Sequence, residues 1–283
     1  MHADKASVTA FRVAERRAAH QLCDTPKILD DPLALRIIGA EAVQALSARR
    51  HRERGPMHRG MRTFMAVRSR FAEDELAAAV GRGIRQYVVL GAGLDTSAYR
   101  HPHRAAGLRV FEVDHPATQQ WKRECLRAAA IAEPPELAFV PVDFERQSLA
   151  DRLREAGFST EQPAFISWLG VTPYLTREAL TGALRFIASR PRGTTVVFDY
   201  ATDPRSMGWW SRLIYWLIAR RVAKAGEPFR TTFTPETLRA ELRPLNFSEL
   251  ADTGAAELNE RYCRNRTDGL RVGRFGRLMK AVV

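Results

Sequence analysis

The sequence predicts an open α/β fold built on a mostly parallel sheet, and three observations lead to this prediction. The apolar run 87–90 leads directly into the turn Gly91-Ala92-Gly93, as expected for a buried strand whose exit loop approaches a ligand closely. A second apolar run ends at Asp114 and a third at Asp143. Beyond residue 81, strand-like runs alternate with helical patterns, which is typical of a parallel sheet.

The first 80 residues or so read as helices. We expect a helix over 7–22, a second that starts at Asp31-Pro32, where Pro suits a first-turn position, and a third over 63–80. The stretch 47–60 is basic and contains Gly55-Pro56, so we expect it to be a mobile loop. We therefore divide the chain into an N-terminal helical lid or extension, 1–80, and an α/β domain, 81–283.

Within the α/β domain, seven strands are expected. They lie at about 86–90, 109–113, 138–142, 164–169, 194–199, 246–251 and 274–283. Helices are expected between them, including 116–132, 176–189 (after the N-cap Thr176) and 235–242. The last two strands are most simply an antiparallel, hairpin-like edge of the sheet.

An aromatic segment interrupts this alternation at 206–225, with Trp209, Trp210, Tyr215 and Trp216. It is too short and too charged for a membrane span. Two interpretations are equally favoured: an amphipathic helix packed on the domain, or a helical cap over the substrate pocket, which would occupy about 203–230. Contact with a membrane surface is a weaker third interpretation.

The strand ends indicate which cofactor is bound. Asp114 follows Gly91 by 23 residues, the place where a nucleotide-binding unit needs an acceptor for the ribose hydroxyls. Thr96 occupies the third glycine position of the dinucleotide motif, and the loop has no Lys or Arg, which argues against a diphosphate ligand. S-adenosylmethionine needs only the glycine turn, the ribose carboxylate and a polar group near adenine, which Asp143 supplies beside the apolar face of Phe144.

Several longer motifs lie at 90–96, Tyr99-Arg100, 111–116, Lys122-Arg123, 142–144, 167–175, 258–262 and the N-terminal 30–34. As a set they resemble the leucine carboxyl methyltransferase family, most closely its bacterial branch with polyketide O-methyltransferases. It implies a class I methyltransferase-like (Rossmann-like) fold with a seven-stranded mostly parallel sheet, N-terminal helices and a helical cap insertion. It also implies S-adenosyl-L-methionine as the cofactor.

Carried over to this chain, the resemblance implies that Gly91 contacts the methionyl moiety and Asp114 the ribose. Ala92 and Gly93 belong to the same cofactor-binding turn. Asp143 and Phe144 are implied at the adenine.

The resemblance further implies an arginine upstream of the first strand that pairs with the cofactor carboxylate. Arg68 and Arg70 both fit, and we prefer Arg68 by spacing. Trp168 is included among the cofactor-binding residues because it lies at the carboxyl end of the fourth strand. Many relatives carry a Glu where this chain has Leu169, so no role of that Glu is transferred.

Methyl transfer requires alignment and exclusion of water rather than a catalytic triad. A carboxylate acceptor is already ionised, whereas a hydroxyl is helped by a base. We expect His101, His103 and His115 to be surface residues, and leave the base open with Tyr174 as the candidate catalytic residue. The expected function is an O-methyltransferase acting on a carboxylate or hydroxyl of a small molecule. Alternatives are a non-methylating S-adenosylmethionine-binding protein, a protein carboxyl methyltransferase and, less favoured, an NAD-dependent oxidoreductase.

Composition bounds the remaining possibilities. The net charge of +12 comes from arginines spread along the chain, which leaves an acidic acceptor open but comes without a recognised nucleic-acid-binding motif. Three separated cysteines suggest neither a zinc site nor a disulfide framework, and suit a reducing cytoplasm. No signal peptide or transmembrane segment is predicted. The sequence does not indicate an oligomeric state.

Overall fold

Seven strands form a single sheet at the centre of the structure, a computed structural model that describes residues 7–143, 146–223 and 228–283. The strands are β1 (Gln86–Leu90), β2 (Arg109–Asp114), β3 (Leu137–Pro141), β4 (Phe165–Trp168), β5 (Thr195–Ala201), β6 (Glu249–Thr253) and β7 (Gly276–Val282). Their order is β3-β2-β1-β4-β5-β7-β6. β1 to β5 pair in parallel, and β7 is antiparallel to both β5 and β6. The predicted mostly parallel sheet with an antiparallel edge is confirmed.

The helices flank this sheet. Those before β1 are α1 (Val8–Cys23), α2 (Leu33–Ile37), α3 (Ala40–Ala48), α4 (Arg50–Glu53) and α5 (Pro56–Gly81). Those after it are α6 (Ser97–Arg100), α7 (Pro116–Ala128), α8 (Leu149–Glu155), α9 (Arg177–Ala188), α10 (Trp209–Ala223), α11 (Pro235–Leu242) and α12 (Ala255–Tyr262). The caps follow local chemistry: Thr176 accepts from the N–H of Ala179, and Thr234 forms a capping box with Thr237.

Each face of the sheet is covered by its own hydrophobic core. Because side chains alternate along a strand, Tyr87 and Val89 of β1 enter the core shared with the N-terminal helices. Val88 and Leu90 enter the opposite core, which includes residues of α8, α9 and α11. The N-terminal helices therefore bury their apolar side chains directly on the sheet. The division into an extension and an α/β domain stays a prediction.

The prediction of a mobile loop over 47–60 is wrong. The stretch holds the end of α3, all of α4 and the start of α5, with Gly55 as N-cap and Pro56 as the first helical residue. Buried ion pairs fix it: the Nε and Nη2 of Arg62 donate to the carboxylate of Asp24, at 2.7 and 2.8 Å, and its Nη1 donates to the carbonyl of Glu53 at 2.7 Å. Asp24 is distant from Arg62 in sequence, so the local pattern does not indicate this pair.

The aromatic segment forms α10, as expected, but its three tryptophans do not pack on the domain. Trp209, Trp210 and Trp216 are 65%, 62% and 53% exposed. The interpretation as a packed amphipathic helix is therefore wrong for these side chains. The cap interpretation stays a prediction, and its part over 224–227 lies outside the described residues.

The buried cluster around Arg62 makes a prediction about stability. Burial raises the pKa of Asp24, but hydrogen bonds from Arg62 and His20 outweigh this and lower its pKa below the ordinary value. Arg62→Ala removes the guanidinium that pairs with the buried Asp24 carboxylate and should lower the free energy of unfolding by about 3 kcal/mol. Arg70→Ala is the control, because its pair with Asp74 is exposed and should contribute less than about 1 kcal/mol.

Urea denaturation at several pH values measures both effects. A carboxyl group with a lowered folded-state pKa stabilises the protein above its unfolded pKa, and this contribution is lost as the pH falls through the folded pKa. Arg62→Ala should therefore weaken the acid-side pH dependence of stability. Equal losses for Arg62→Ala and Arg70→Ala would contradict this interpretation of the cluster.

Candidate active site

A cavity of about 250 Å³ lies at the carboxyl ends of the central parallel strands. Its floor is the turn after β1, and its walls come from α1, α5 and the loops that follow β2, β3 and β4. β2 and β3 lie on one side of β1, and β4 and β5 lie on the other. This reversal of the strand order between β1 and β4 opens a crevice at the carboxyl edge of the sheet. The strand ends singled out in the sequence therefore meet at one cavity.

The glycine turn is held in place by backbone hydrogen bonds. The N–H groups of Gly91 and Ala92 both donate to the carbonyl of Val113, at 2.8 and 3.1 Å. Gly91 has a φ of +66°, and a Cβ there would lie 2.2 Å from Cγ2 of Val171. Gly93 has a φ of +47°, and its Cβ would lie 3.0 Å from Cβ of Ala10. Both positions require glycine, by backbone conformation and by space.

Asp114 connects the turns after β1 and β2. Its Oδ2 accepts from the N–H of Gly93 at 2.5 Å, and its Oδ1 accepts from the N–H of His115 at 2.7 Å. Burial raises the pKa of Asp114 above its usual value, although these two backbone donors act in the opposite direction. A carboxylate has about four lone-pair sites, so each oxygen can still accept from a ligand hydroxyl.

Thr96 explains why the third glycine of a dinucleotide motif is missing. Thr96 is fully buried, and its Oγ1 donates to both carboxylate oxygens of Asp31 at 2.8 and 2.7 Å. A glycine would leave this buried carboxylate without a hydroxyl donor. The position serves the attachment of the N-terminal helices rather than close approach of a pyrophosphate.

Arg17 and Asp95 belong to the site but were missed from the sequence. Arg17, on α1, donates to Oδ2 of Asp95 at 2.6 Å and to the carbonyl of Leu94 at 2.7 Å. Burial raises the pKa of Asp95, but the charges of Arg17 and Lys122 and hydrogen bonds from Ser97 outweigh it and lower the pKa to about 2. The place of Asp95, two residues after the glycine turn, was the signal that could have found it.

Arg68 lines the cavity, whereas Arg70 does not. Arg68 is 4% exposed, and its Nη1 donates to Oδ2 of Asp199 on β5 at 2.7 Å. Asp199 also accepts from the N–H of Gly170 at 2.5 Å. A Cβ on Gly170 would lie 2.7 Å from Nη2 of Arg68, so the guanidinium lies directly against the loop after β4. Arg70 points outward and pairs with Asp74.

The structure separates the remaining predicted cofactor residues. Ala92 and Asp143 line the cavity. Phe144 lies outside the described residues. The prediction that Trp168 contacts the cofactor is wrong. Its side chain is fully buried in the opposite core, with its ring centroid 6.4 Å from that of Phe198. Side chains alternate along β4, so Ser167 faces the cavity instead, with its Oγ 3.0 Å from the hydroxyl of Tyr87.

The candidate catalytic residue Tyr174 also lines the cavity. Tyr174 ends a 3₁₀ turn after β4, and its ring centroid is 5.5 Å from that of Phe229. Leu169 lines the same region. His115 is the one histidine among the described residues lining the cavity, although it was expected at the surface, and its Nδ1 accepts from the N–H of Ala117 at the start of α7.

His101 and His103 lie outside the cavity lining and stack on each other with ring centroids 6.1 Å apart. Burial lowers the pKa of both imidazoles, so they favour the neutral form at physiological pH. Neither contributes to the chemistry of the described cavity.

Comparison with known proteins identifies relatives of this chain. The sequence profile of a family described as leucine carboxyl methyltransferase matches residues 10–188. YktD of Bacillus subtilis (strain 168), provisionally named as an S-adenosyl-L-methionine-dependent methyltransferase, is 31% identical over 293 residues, covering 95% of both chains. A protein of Saccharopolyspora erythraea with the same provisional description is 34% identical over 202 residues, covering 70% of this chain and 69% of its own.

Two solved structures share the fold over nearly the whole chain. A provisionally named methyltransferase of Thermobifida fusca YX has a TM-score of 0.61 at 19% identity, covering 99% of this chain and 95% of its own. A DUF574 family protein of Streptomyces avermitilis MA-4680 has a TM-score of 0.59 at 17% identity, covering 99% and 98%. The architecture described above is therefore that of known proteins.

The crowding at Gly91 allows the cost of a steric clash to be measured separately from the cost of backbone strain. Gly91→Ala adds both the strain of a left-handed backbone and a clash with Val171, whereas Gly193, with a φ of +88° and open space around it, provides the strain alone. Gly193→Ala should cost about 1–2 kcal/mol of unfolding free energy. Gly91→Ala should cost roughly 1–3 kcal/mol more.

Chemical denaturation of both variants measures this difference. The double variant Gly91→Ala with Val171→Ala should recover part of the loss, since it removes the atoms that the new Cβ meets. Equal stability of the Gly91→Ala and Gly193→Ala variants would show that the turn is not packed as described.

Proposed function

The chain belongs to the leucine carboxyl methyltransferase family, and we propose that it is an O-methyltransferase that methylates a carboxylate or hydroxyl of a small molecule. Membership of this family makes it a methyltransferase, and S-adenosylmethionine is its cofactor. The oxygen nucleophile and the small size of the acceptor are the proposed parts. Polyketide-type natural products are one acceptor class of this kind.

One observation carries the proposal: the groups suited to the cofactor and the candidate acceptor wall line the same cavity. The glycine turn, Asp114 and Asp143 line it together with Tyr174 and Leu169. A cofactor and an acceptor bound there would be neighbours without intervening protein, which in-line transfer requires.

The residues of the turns give the cofactor its orientation in this proposal. Asp114 would accept from the ribose hydroxyls, and Asp143 from the adenine amino group. Arg68 would bind the cofactor carboxylate through N–H groups other than the one that Asp199 occupies. Asp199 then holds the guanidinium in position, so that the arginine is already ordered before the cofactor arrives.

The cofactor supplies the reactive methyl group, and the protein supplies alignment and a dry site. When bound, the cofactor would supply a methyl carbon that exchanges its bond to sulfur for a bond to the acceptor oxygen, with S-adenosylhomocysteine as the leaving group. A carboxylate acceptor needs no proton transfer at neutral pH. A hydroxyl acceptor would lose a proton, and Tyr174, which lines the cavity, is the residue proposed to interact with it.

A small-molecule acceptor is favoured over a protein tail because the segment after α10 partly encloses the acceptor side of the cavity. The N–H of Arg230 donates to the carbonyl of Pro173 at 2.7 Å, which ties the segment after α10 to the loop after β4. Pro228 and Arg230 therefore form part of the cavity wall.

We further propose a cytoplasmic location, because all three cysteines are free thiols and thiols persist in a reducing compartment.

Cofactor binding is tested by calorimetry with S-adenosylhomocysteine. The wild type should bind, and Asp114→Ala should weaken binding about tenfold to a hundredfold, since a charge-assisted hydrogen bond contributes about 1.5–3 kcal/mol. Asp151→Ala, at an exposed carboxylate of α8, is the control and should bind as the wild type does. Absence of wild-type binding at millimolar ligand would refute the cofactor site.

The pH dependence of that affinity provides a second, independent readout. The pKa of Asp114 is raised, so on acidification its carboxylate is protonated at a higher pH than an ordinary Asp. The affinity for S-adenosylhomocysteine should therefore begin to fall at a pH above the usual range for Asp titration. Asp114→Asn should remove this part of the pH dependence, and an unchanged profile in that variant would assign the titration to another group.

The reaction itself is tested with methyl-labelled cofactor and a panel of acceptors. Small carboxylic acids, phenols and polyketide-type hydroxyls should include methylated products, whereas a peptide ending in a free leucine carboxylate should not be preferred. For a phenol, Tyr174→Phe should lower kcat more than it does for a carboxylate, because only the phenol loses a proton. Methylation of the peptide alone would favour the protein carboxyl methyltransferase, and cofactor binding without transfer to any acceptor would favour non-methylating chemistry.

A further inference from the structure

The helix α10 presents an apolar stripe to solvent. Trp209, Trp210, Leu213, Trp216 and Leu217 are each between 46% and 65% exposed. At 3.6 residues per turn these positions span an arc of about 120°. An apolar stripe of this width ordinarily faces a core, yet on this helix its side chains face outward.

Positive charge flanks the stripe, and the helix itself carries no carboxylate side chain. The sequence from 204 to 223 contains no Asp or Glu. Arg212 and Arg220 are exposed, and the guanidinium of Arg220 lies 5.3 Å from the centre of the Trp216 ring. The helix therefore combines aromatic side chains, which suit the boundary between water and an apolar phase, with cations that suit anionic headgroups.

These features fit a membrane surface better than a second copy of the chain. Two such helices in contact would bring arginines together with no carboxylate on either helix to pair with them. With 15 residues, α10 is about 22 Å long, and within the described ranges none of the helices is both long and apolar enough to cross a bilayer. A helix of this composition lies in the interface rather than across it.

The helix is also connected to the wall of the cavity. The ring centroid of Tyr215 on α10 lies 5.8 Å from that of Phe229, and Phe229 lies 5.5 Å from Tyr174. A surface bound by α10 would therefore lie beside the acceptor side of the cavity.

We propose that α10 is an interfacial helix through which the protein binds reversibly to the surface of anionic membranes. The tryptophans and leucines of the stripe insert at the level of the headgroups, and Arg212 and Arg220 contact lipid phosphates. This inference is independent of which acceptor is methylated.

Vesicle sedimentation tests the proposal with the full chain. The wild type should sediment with vesicles of equimolar phosphatidylcholine and phosphatidylglycerol, with a blue shift of tryptophan fluorescence, and more weakly with phosphatidylcholine alone. Arg212→Gln with Arg220→Gln should lower the partition coefficient about fivefold for each arginine removed. Leu213→Ser with Trp216→Ser should lower it at least about tenfold.

A matched control and a folding check keep the outcome interpretable. Met57→Ser removes an exposed apolar side chain of α5, 46% exposed, and should leave vesicle binding unchanged. Calorimetry with S-adenosylhomocysteine reports that each variant is folded, so failure of membrane binding is distinguished from failure of the cofactor site.

Two results would overturn the proposal. One is a wild type that sediments with anionic vesicles no more than it does without them. The other is a Leu213→Ser and Trp216→Ser variant that binds vesicles normally but loses mass in sedimentation velocity, which would assign the stripe to self-association.

Discussion

The hydrogen bond from the N–H of Gly93 to Oδ2 of Asp114, at 2.5 Å, is the interaction on which the site depends. It joins the turn after β1 to the end of β2. The N–H groups of Gly91 and Ala92 connect the same turn to β2 one residue earlier, because both donate to the carbonyl of Val113. Because neither Gly91 nor Gly93 has a Cβ, Val171 of the loop after β4 and Ala10 of α1 can pack directly against this turn. A ligand that meets this edge therefore finds a fixed carboxylate beside bare backbone, which is the chemistry a ribose and a methionyl chain require.

The sheet alone does not complete the cavity, because buried ion pairs from the N-terminal helices hold its walls. Arg17 of α1 donates hydrogen bonds to Asp95 and to the carbonyl of Leu94, just after the glycine turn. Arg68 of α5 donates to Asp199 on β5. Burying charges is unfavourable unless each one is paired and hydrogen-bonded, and these side chains are. These pairs attach α1 to the turn after β1 and α5 to β5, in addition to the apolar cores that cover both sheet faces.

The sequence predicted what local patterns determine and failed where distant partners decide. Short apolar runs ending at Gly91, Asp114 and Asp143 located the strands and the edge where they meet, because neighbouring residues determine whether a strand is buried and where it ends. The loop assigned to 47–60 is helical because Asp24 and Glu53 bind Arg62, a pairing that the basic composition of the stretch hid. Trp168 was misplaced because a strand end does not reveal which face a side chain takes, and one residue decides between core and cavity. The outward face of α10 was equally hidden, since its pattern is that of a helix packed on a core.

The central claim is that the turns after the first three strands surround one molecule of S-adenosylmethionine. A crystal structure of the protein with S-adenosylhomocysteine tests it most directly. The account predicts the ribose hydroxyls within hydrogen-bonding distance of Asp114, the adenine amino group at Asp143, the carboxylate at Arg68, and the sulfur facing the wall of Tyr174 and Leu169. A nucleoside bound elsewhere, or one in this cavity whose ribose does not contact Asp114, would contradict it.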